Sequence, residues 1–231
     1  MSIQKELKRI ADPAKAKVLA GFFKTGPGQY SEGDVFLGIT VPACREVAKK
    51  YSASSIQDIK TALQSVFHEE RLVALMILVE RFRGGDVKIK KNVFDFYQTQ
   101  FKTVNNWDLV DSSAHQIAGE YLRIGPVSNK REKWARSKNL WIRRIAIVST
   151  YADIRRGESH SAIKISEVLL GDTEDLMHKA VGWMLREVGK RCSEKELCHF
   201  LDKHVHRMPR TALRYAIERF PETKRKHYMS C

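Results

Sequence analysis

Apolar residues recur at helical spacing through most of the chain, and its few prolines and glycines fall mainly between the resulting stripes. The pattern predicts an all-α protein. After an N-terminal helical region and a loop through TGPGQYSEGDVFLG, Pro42 is placed to open a helix in VPACREVAKKY. Beyond it the segments come in pairs. The second member of each pair is the more regular: RLVALMILVERF from Arg71, WDLVDSSAHQIAGEYL from Trp107, WIRRIAIVSTYA from Trp141, LMHKAVGWMLREVGKR from Leu176 and RTALRYAIERF from Arg210. These start roughly 32 to 38 residues apart, with shorter amphipathic stretches such as KKNVFDFYQTQF, NKREKWARSK, SAIKISEVLL and EKELCHFLDKH between them. A helical hairpin repeated at this period predicts an α-solenoid of HEAT-like repeats, each pair burying its face against its neighbours. The expected organisation is one curved superhelical domain over residues 1–231, and whether 221–231 is a flexible basic tail stays open.

One slot of the repeat is irregular. Ala74, Ala146, Ala180 and Ala212 mark equivalent helix positions 72, 34 and 32 residues apart, and the alanine missing near position 110 is replaced by Asp111. A carboxylate in a packing slot is expensive unless paired, although Asp111 also reads as a polar residue at the edge of the stripe. In NNWDLVDSSAHQIA, Asn106 reads as the N-cap, Asp108 as a first-turn acid, and Val110, Ala114, Ile117 and Tyr121 as the buried stripe. Trp107 and Asp111, four apart, share one margin of it. A core tryptophan beside a capping-type aspartate is the plainer account of that pair. In the next helix Trp141, Ile145, Val148 and Ala152 form the stripe, Arg143 points roughly opposite and Arg144 sits on the flank. The helix from Leu176 buries Met177, Val181, Met184 and Val188, with Trp183 at the border. Gly182 costs that helix about 1 kcal/mol relative to alanine, which predicts the close approach of another backbone. Solvated faces and core packing remain the simple readings of the arginines and of Trp183.

Composition narrows the partner. With 43% hydrophobic residues the chain can bury a continuous core, and 41 Lys and Arg against 27 Asp and Glu leave a net charge of +14. That excess points to a polyanion, with nucleic acid the leading candidate. Basic residues recur on the second helices and their ends: Arg71, Arg81, Arg143, Arg144, Lys179, Arg186, Lys190, Arg191, Arg207, Arg210 and Arg214. In a solenoid such residues would line one concave face, a track suited to a duplex backbone. Four cysteines without a C-x-x-C pair fit a reducing compartment rather than a disulfide scaffold. The N-terminus lacks the apolar core of a signal peptide, and nothing approaches the roughly 20 apolar residues of a membrane span. A soluble cytoplasmic monomer with no membrane partner is expected. The histidines show no metal-site spacing beyond the closeness of His204 and His206, so no metal is expected.

Five segments together, VFLGITVPACREVAKKY, NNWDLVDSSA, NLWIRRIAIVSTY, HKAVGWMLREVGKR and MPRTALRYAIERF, in order from about Val35 to about Phe220, are similar to the AlkD-type DNA alkylation repair enzymes, the HEAT-like-repeat DNA glycosylases. The resemblance implies an α-solenoid with a basic concave groove for double-stranded DNA. The catalytic carboxylate of the family's W-x-x-x-D element falls on Asp111 and its tryptophan on Trp107; the arginine of W-[I/L]-x-R falls on Arg144 and the tryptophan of G-W-x-L-R-E on Trp183. DNA contacts are expected from Thr40, Val41, Pro42, Arg45, Arg143, Lys179, Arg186, Lys190, Arg210 and Arg214. A glycine-rich segment around Thr25 to Asp34 departs from the family pattern.

The implied chemistry suits these residue types. A purine alkylated at N3 or N7 is already cationic and leaves readily, so a carboxylate that stabilises positive charge on the sugar and activates water meets the main need. Tryptophan faces favour the cationic nucleotide, and an arginine holds a phosphate. The resemblance thus implies a monofunctional glycosylase that removes 3-methyladenine or 7-methylguanine without base flipping, cofactor or metal, and associates with the nucleoid when bound to DNA. Two rivals share the fold: a binder of damaged or distorted DNA that excises nothing, and a HEAT-repeat protein-interaction scaffold.

Overall fold

Several helices begin where the sequence supplies a side-chain cap. A computed structural model of the chain describes residues 2–125 and 129–231. Ser2 opens α1 (Ile3–Arg9), and Asp12 caps α2 (Pro13–Phe22), whose first position is Pro13. Pro42 lies in the first turn of α3 (Val41–Lys50), as its sequence position predicts. Ser55 and Asp58 form a reciprocal capping box at the start of α4 (Ile56–Leu63). There follow α5 (His68–Gly84), α6 (Val87–Thr99) with Asp86 as its cap, and α7 (Trp107–Ser113). A π-helical turn, His115–Gly119, leads into α8 (Glu120–Ile124), α9 (Lys130–Ala135), α10 (Leu140–Ser149) and α11 (Tyr151–Ile154). The remainder is α12 (His160–Leu169), α13 (Asp175–Arg191), α14 (Glu194–His204), a 3-10 turn Val205–Arg207, α15 (Arg210–Ala216) and α16 (Glu222–Ser230). Among the described residues the only extended pairing is an isolated parallel bridge between Val35 and Phe67, so the fold is all-α. No described helix is long and apolar enough to cross a membrane.

The chain forms two compact units, the first through Ser113 and the second from Ala114 onward. In the first, α5 is the hub. It packs on α3, α4, α6 and α7 and is buried nearly all round, from Leu72 to Leu78 and on to Phe82. Polar burial extends to its first turn, where His68, Glu69, Glu70 and Arg71 are all inside. The Glu69 carboxylate accepts the backbone N–H groups of Leu37, Gly38 and Ile39 at 2.9, 2.8 and 3.1 Å, tying the loop before α3 to the core. A carboxylate satisfied by three amides is a common solution for a buried acid.

In the second unit α13 is the hub, packed on α10, α12, α14 and above all α15. Met177, Val181, Met184 and Val188 are buried as their period predicts, as are Trp141, Ile145, Val148 and Ala152. A Cβ on Gly182 would run into the Ala212 carbonyl oxygen and the Tyr215 side chain, so the glycine is there to let the backbone of α15 approach. The four repeat alanines, Ala74 in the first unit and Ala146, Ala180 and Ala212 in the second, are fully buried.

The expected stripe through Ile117 and Tyr121 slips. Gly119 N–H donates to the Ala114 carbonyl at 2.8 Å, a bond one residue longer than an α-turn. Ile117, Ala118 and Gly119 are therefore buried while Tyr121 is only half-buried. The C-terminal segment, which the sequence leaves open as a tail, forms α16; Tyr228 is buried and its hydroxyl donates to Asp202 at 2.9 Å.

Candidate functional site

Trp107 and Asp111 lie one turn apart on α7, both half-buried. The start of that helix is unusually well held. Asn106 is sealed from solvent; its backbone carbonyl accepts Val110 N–H at 3.1 Å and its side-chain oxygen accepts Trp107 N–H at 2.8 Å. The Asn106 amide nitrogen donates to Ser31 Oγ at 2.6 Å and Asp34 Oδ2 at 3.0 Å. On the other side of Trp107, Asp108 Oδ2 is 2.7 Å from His68 Nε2. His68 Nδ1 is in turn 3.2 Å from Asp34 Oδ2, and Arg71 Nη2 donates to Asp34 Oδ1 at 2.5 Å. The loop around Thr25 to Asp34 thus supplies Ser31 and Asp34 to the helix that carries Asp111.

Electrostatics follow the geometry. Burial works against the charged forms of Asp34 and His68, but their mutual hydrogen bond, Arg71 and Asn106 hold Asp34 below the usual carboxylate range. For His68, burial is outweighed by the hydrogen bonds to Asp108 and Asp34, which raise it above the ordinary histidine value. With a carboxylate at each ring nitrogen, the doubly protonated imidazolium is the form that donates to both. Burial near Glu69 and Asp108 pushes the Cys44 thiol up to about 12, leaving it un-ionised.

Aromatic rings complete the first unit's site. The Trp107 indole stacks on Phe23 at 5.2 Å and 11°, with Phe22 edge-on at 6.2 Å; Phe36 stacks on Phe23 and on His68. A cavity of about 240 Å³ opens among Phe23, Phe36, Leu72, His68 and Asp108. Thr40 and Val41 are at its edge, and with Pro42 and Arg45 they are exposed at the start of α3.

In the second unit Trp183 is half-buried on α13, its ring centre 6.0 Å from that of Tyr151. His115 meets Tyr151 edge-on at 5.4 Å, and the Arg191 guanidinium lies 5.5 Å from the same ring. Arg144 is buried and donates to the Leu176 carbonyl at 2.5 Å. Arg143, expected to point away from the core, instead chelates Asp172 through Nε at 2.6 Å and Nη2 at 3.2 Å and also donates to the carbonyls of Ser137 and Lys138. Lys179 pairs with Asp175 at 2.8 Å, Arg186 with Glu218, and Arg210 donates to the Met229 carbonyl at 2.6 Å. Lys190 and Arg214 are exposed. His204 binds Glu167 at 3.0 Å, and among the described residues no group of three or more His, Cys, Asp or Glu is placed to hold a metal.

The sequence reading overlooked His68, Asp34 and Tyr151. The available signal was the run His68-Glu69-Glu70-Arg71 at the start of the long apolar segment of α5, where four polar residues must either face solvent or find buried partners.

A family model described as DNA alkylation repair enzyme matches residues 3–220. The chain belongs to the DNA alkylation repair enzyme family. Its fold is similar to that of a solved structure titled a predicted DNA alkylation repair enzyme from Enterococcus faecalis, with a TM-score of 0.68 and 15% identity, covering 92% of this chain and 97% of that one. No curated protein sequence matches it significantly. Membership of the DNA alkylation repair enzyme family carries a role in the repair of alkylation damage, with DNA as the partner, in keeping with the +14 charge.

Proposed function

We propose that the protein is a monofunctional DNA glycosylase, which hydrolyses the N-glycosidic bond of purines alkylated at N3 or N7 in duplex DNA and leaves an abasic site. The observation that carries the reading is Asp111, a half-buried carboxylate one turn from the Trp107 indole on a helix whose start is locked by buried ion pairs, in a chain of the alkylation-repair family.

The roles follow from charge. The alkylated base leaves from C1′ with the bonding electron pair, which neutralises it, and positive character rises on the deoxyribose. Asp111 stabilises that charge and takes the proton of the water that adds at C1′. Trp107 offers its π face to the sugar. In the second unit Trp183 is assigned an aromatic contact to the nucleotide and Arg144 a backbone phosphate. Because the leaving group is activated by its own charge, the step needs neither a strong general acid nor a cofactor. Recognition through sugar and phosphate, with the lesion kept in the duplex rather than flipped, fits this division of labour.

Charge selectivity tests the reading. Duplexes carrying 7-methylguanine, 3-methyladenine, hypoxanthine or uracil, incubated with the protein, should release only the two cationic bases. Release of the neutral ones at comparable rates, or of none, would contradict it.

A further inference from the structure

We propose that His68 is a positioning residue for this reaction: bridging Asp34 and Asp108, it holds the first turn of α7 so that Trp107 and Asp111 keep a fixed orientation. The inference rests on the glycosylase reading above for its catalytic consequence, though not for its structural one.

The geometry is specific to the residues around Trp107. Its two chain neighbours are both tied to the same buried centre, Asn106 through Asp34 and Ser31, Asp108 through His68. Trp107 itself has no such tether in its side chain and leans on Phe23, which in turn contacts the His68 ring at 5.0 Å. Asp111 lies three residues beyond Asp108, on the next turn. Asp111 stands in the second turn of α7, so the placement of its first turn bears on where the carboxylate points. A displacement of about 1 Å of a catalytic group can cost on the order of a hundredfold in rate.

The bridge is ionic as well as geometric. Acting on His68 are Asp34 from the preceding loop, Asp108 from α7 and Arg71 from its own helix; Glu69 and, from α2, Lys15 line the same cavity, and Cys44 on α3 feels the charges of Asp108 and Glu69. Loss of the His68 proton removes one donor and leaves a ring nitrogen lone pair against a carboxylate, which opens the bridge.

The test combines His68→Gln, which can donate to one carboxylate but not both, with Asp108→Asn, which removes the charge at the other end of the bridge. Single-turnover release of 7-methylguanine and duplex Kd are measured for each beside the native protein and Asp111→Asn, and amide exchange over 107–113 is followed without DNA. His68→Gln should release base about tenfold or more slowly at nearly unchanged Kd and exchange faster over 107–113. Asp108→Asn, which takes away the charge that faces Nε2–H, should lose rate and protection in the same direction. Native activity should fall as pH rises through the raised His68 value, and His68→Gln should lack that limb. Native rate or unchanged exchange over 107–113 in His68→Gln or in Asp108→Asn would overturn the proposal. If the native protein releases no base, the glycosylase reading fails separately, and the exchange data alone decide whether His68 holds the turn.

Discussion

His68 Nε2 lies 2.7 Å from the Asp108 carboxylate, and that contact joins the first turn of the most buried helix, α5, to the first turn of the helix that carries Trp107 and Asp111. The turn that begins at Trp107 is thereby tied to a buried ionic centre as well as to its packing.

The centre should make stability depend on pH from both sides. Asp34 is lowered in the fold from 3.8, so its contribution is present above that value and lost as pH falls through the lower folded one. His68 is raised from 6.5, so its contribution is complete below 6.5 and lost as pH rises through the higher folded one. Urea unfolding followed against pH should show a loss on each side, and His68→Gln should remove the alkaline one.

Glu69 should matter for the fold of the first unit. Glu69→Ala strands three buried N–H groups of residues 37–39 and should cost about 3 kcal/mol or more by urea unfolding. An effect below about 1 kcal/mol would mean that the loop finds other partners.

Gly182→Ala should destabilise the second unit by about 1–3 kcal/mol, because the added methyl meets the α15 backbone at Ala212. Gly171→Ala, where a Cβ meets nothing, serves as the control.

Two arginines on the expected DNA face should behave differently. Arg45 is exposed, and Arg45→Ala should lower the slope of log affinity for duplex DNA on log salt by about 0.9. Arg143 is occupied by Asp172 and two carbonyls, so Arg143→Ala should cost about 1–3 kcal/mol in stability.

Periodicity made the helix pairs legible, because the stripes through Trp141 and Met177 are local records of one buried face. Gly182 was legible for a related reason: a glycine inside a strong helix has few explanations. The slip at Tyr121 was not, since a π-turn inserts a residue without a composition signal. The buried centre was hidden by distance along the chain, Asn106 lying 72 residues from Asp34 and His68 lying 40 from Asp108. Charged residues at a helix start read as solvated caps until their partners are known. Asp111 was singled out through a gap in the alanine slot, yet it is half-buried whereas the alanines are sealed.

The measurement that bears most directly on the account is release of 7-methylguanine and 3-methyladenine from duplex DNA by the native protein and by Asp111→Asn, without added metal or cofactor. Release by the native protein, with a loss of at least about a hundredfold in the variant at similar duplex affinity, is the predicted result. Equal release by both, or none from either with tight salt-sensitive binding retained, would contradict the catalytic role given to Asp111.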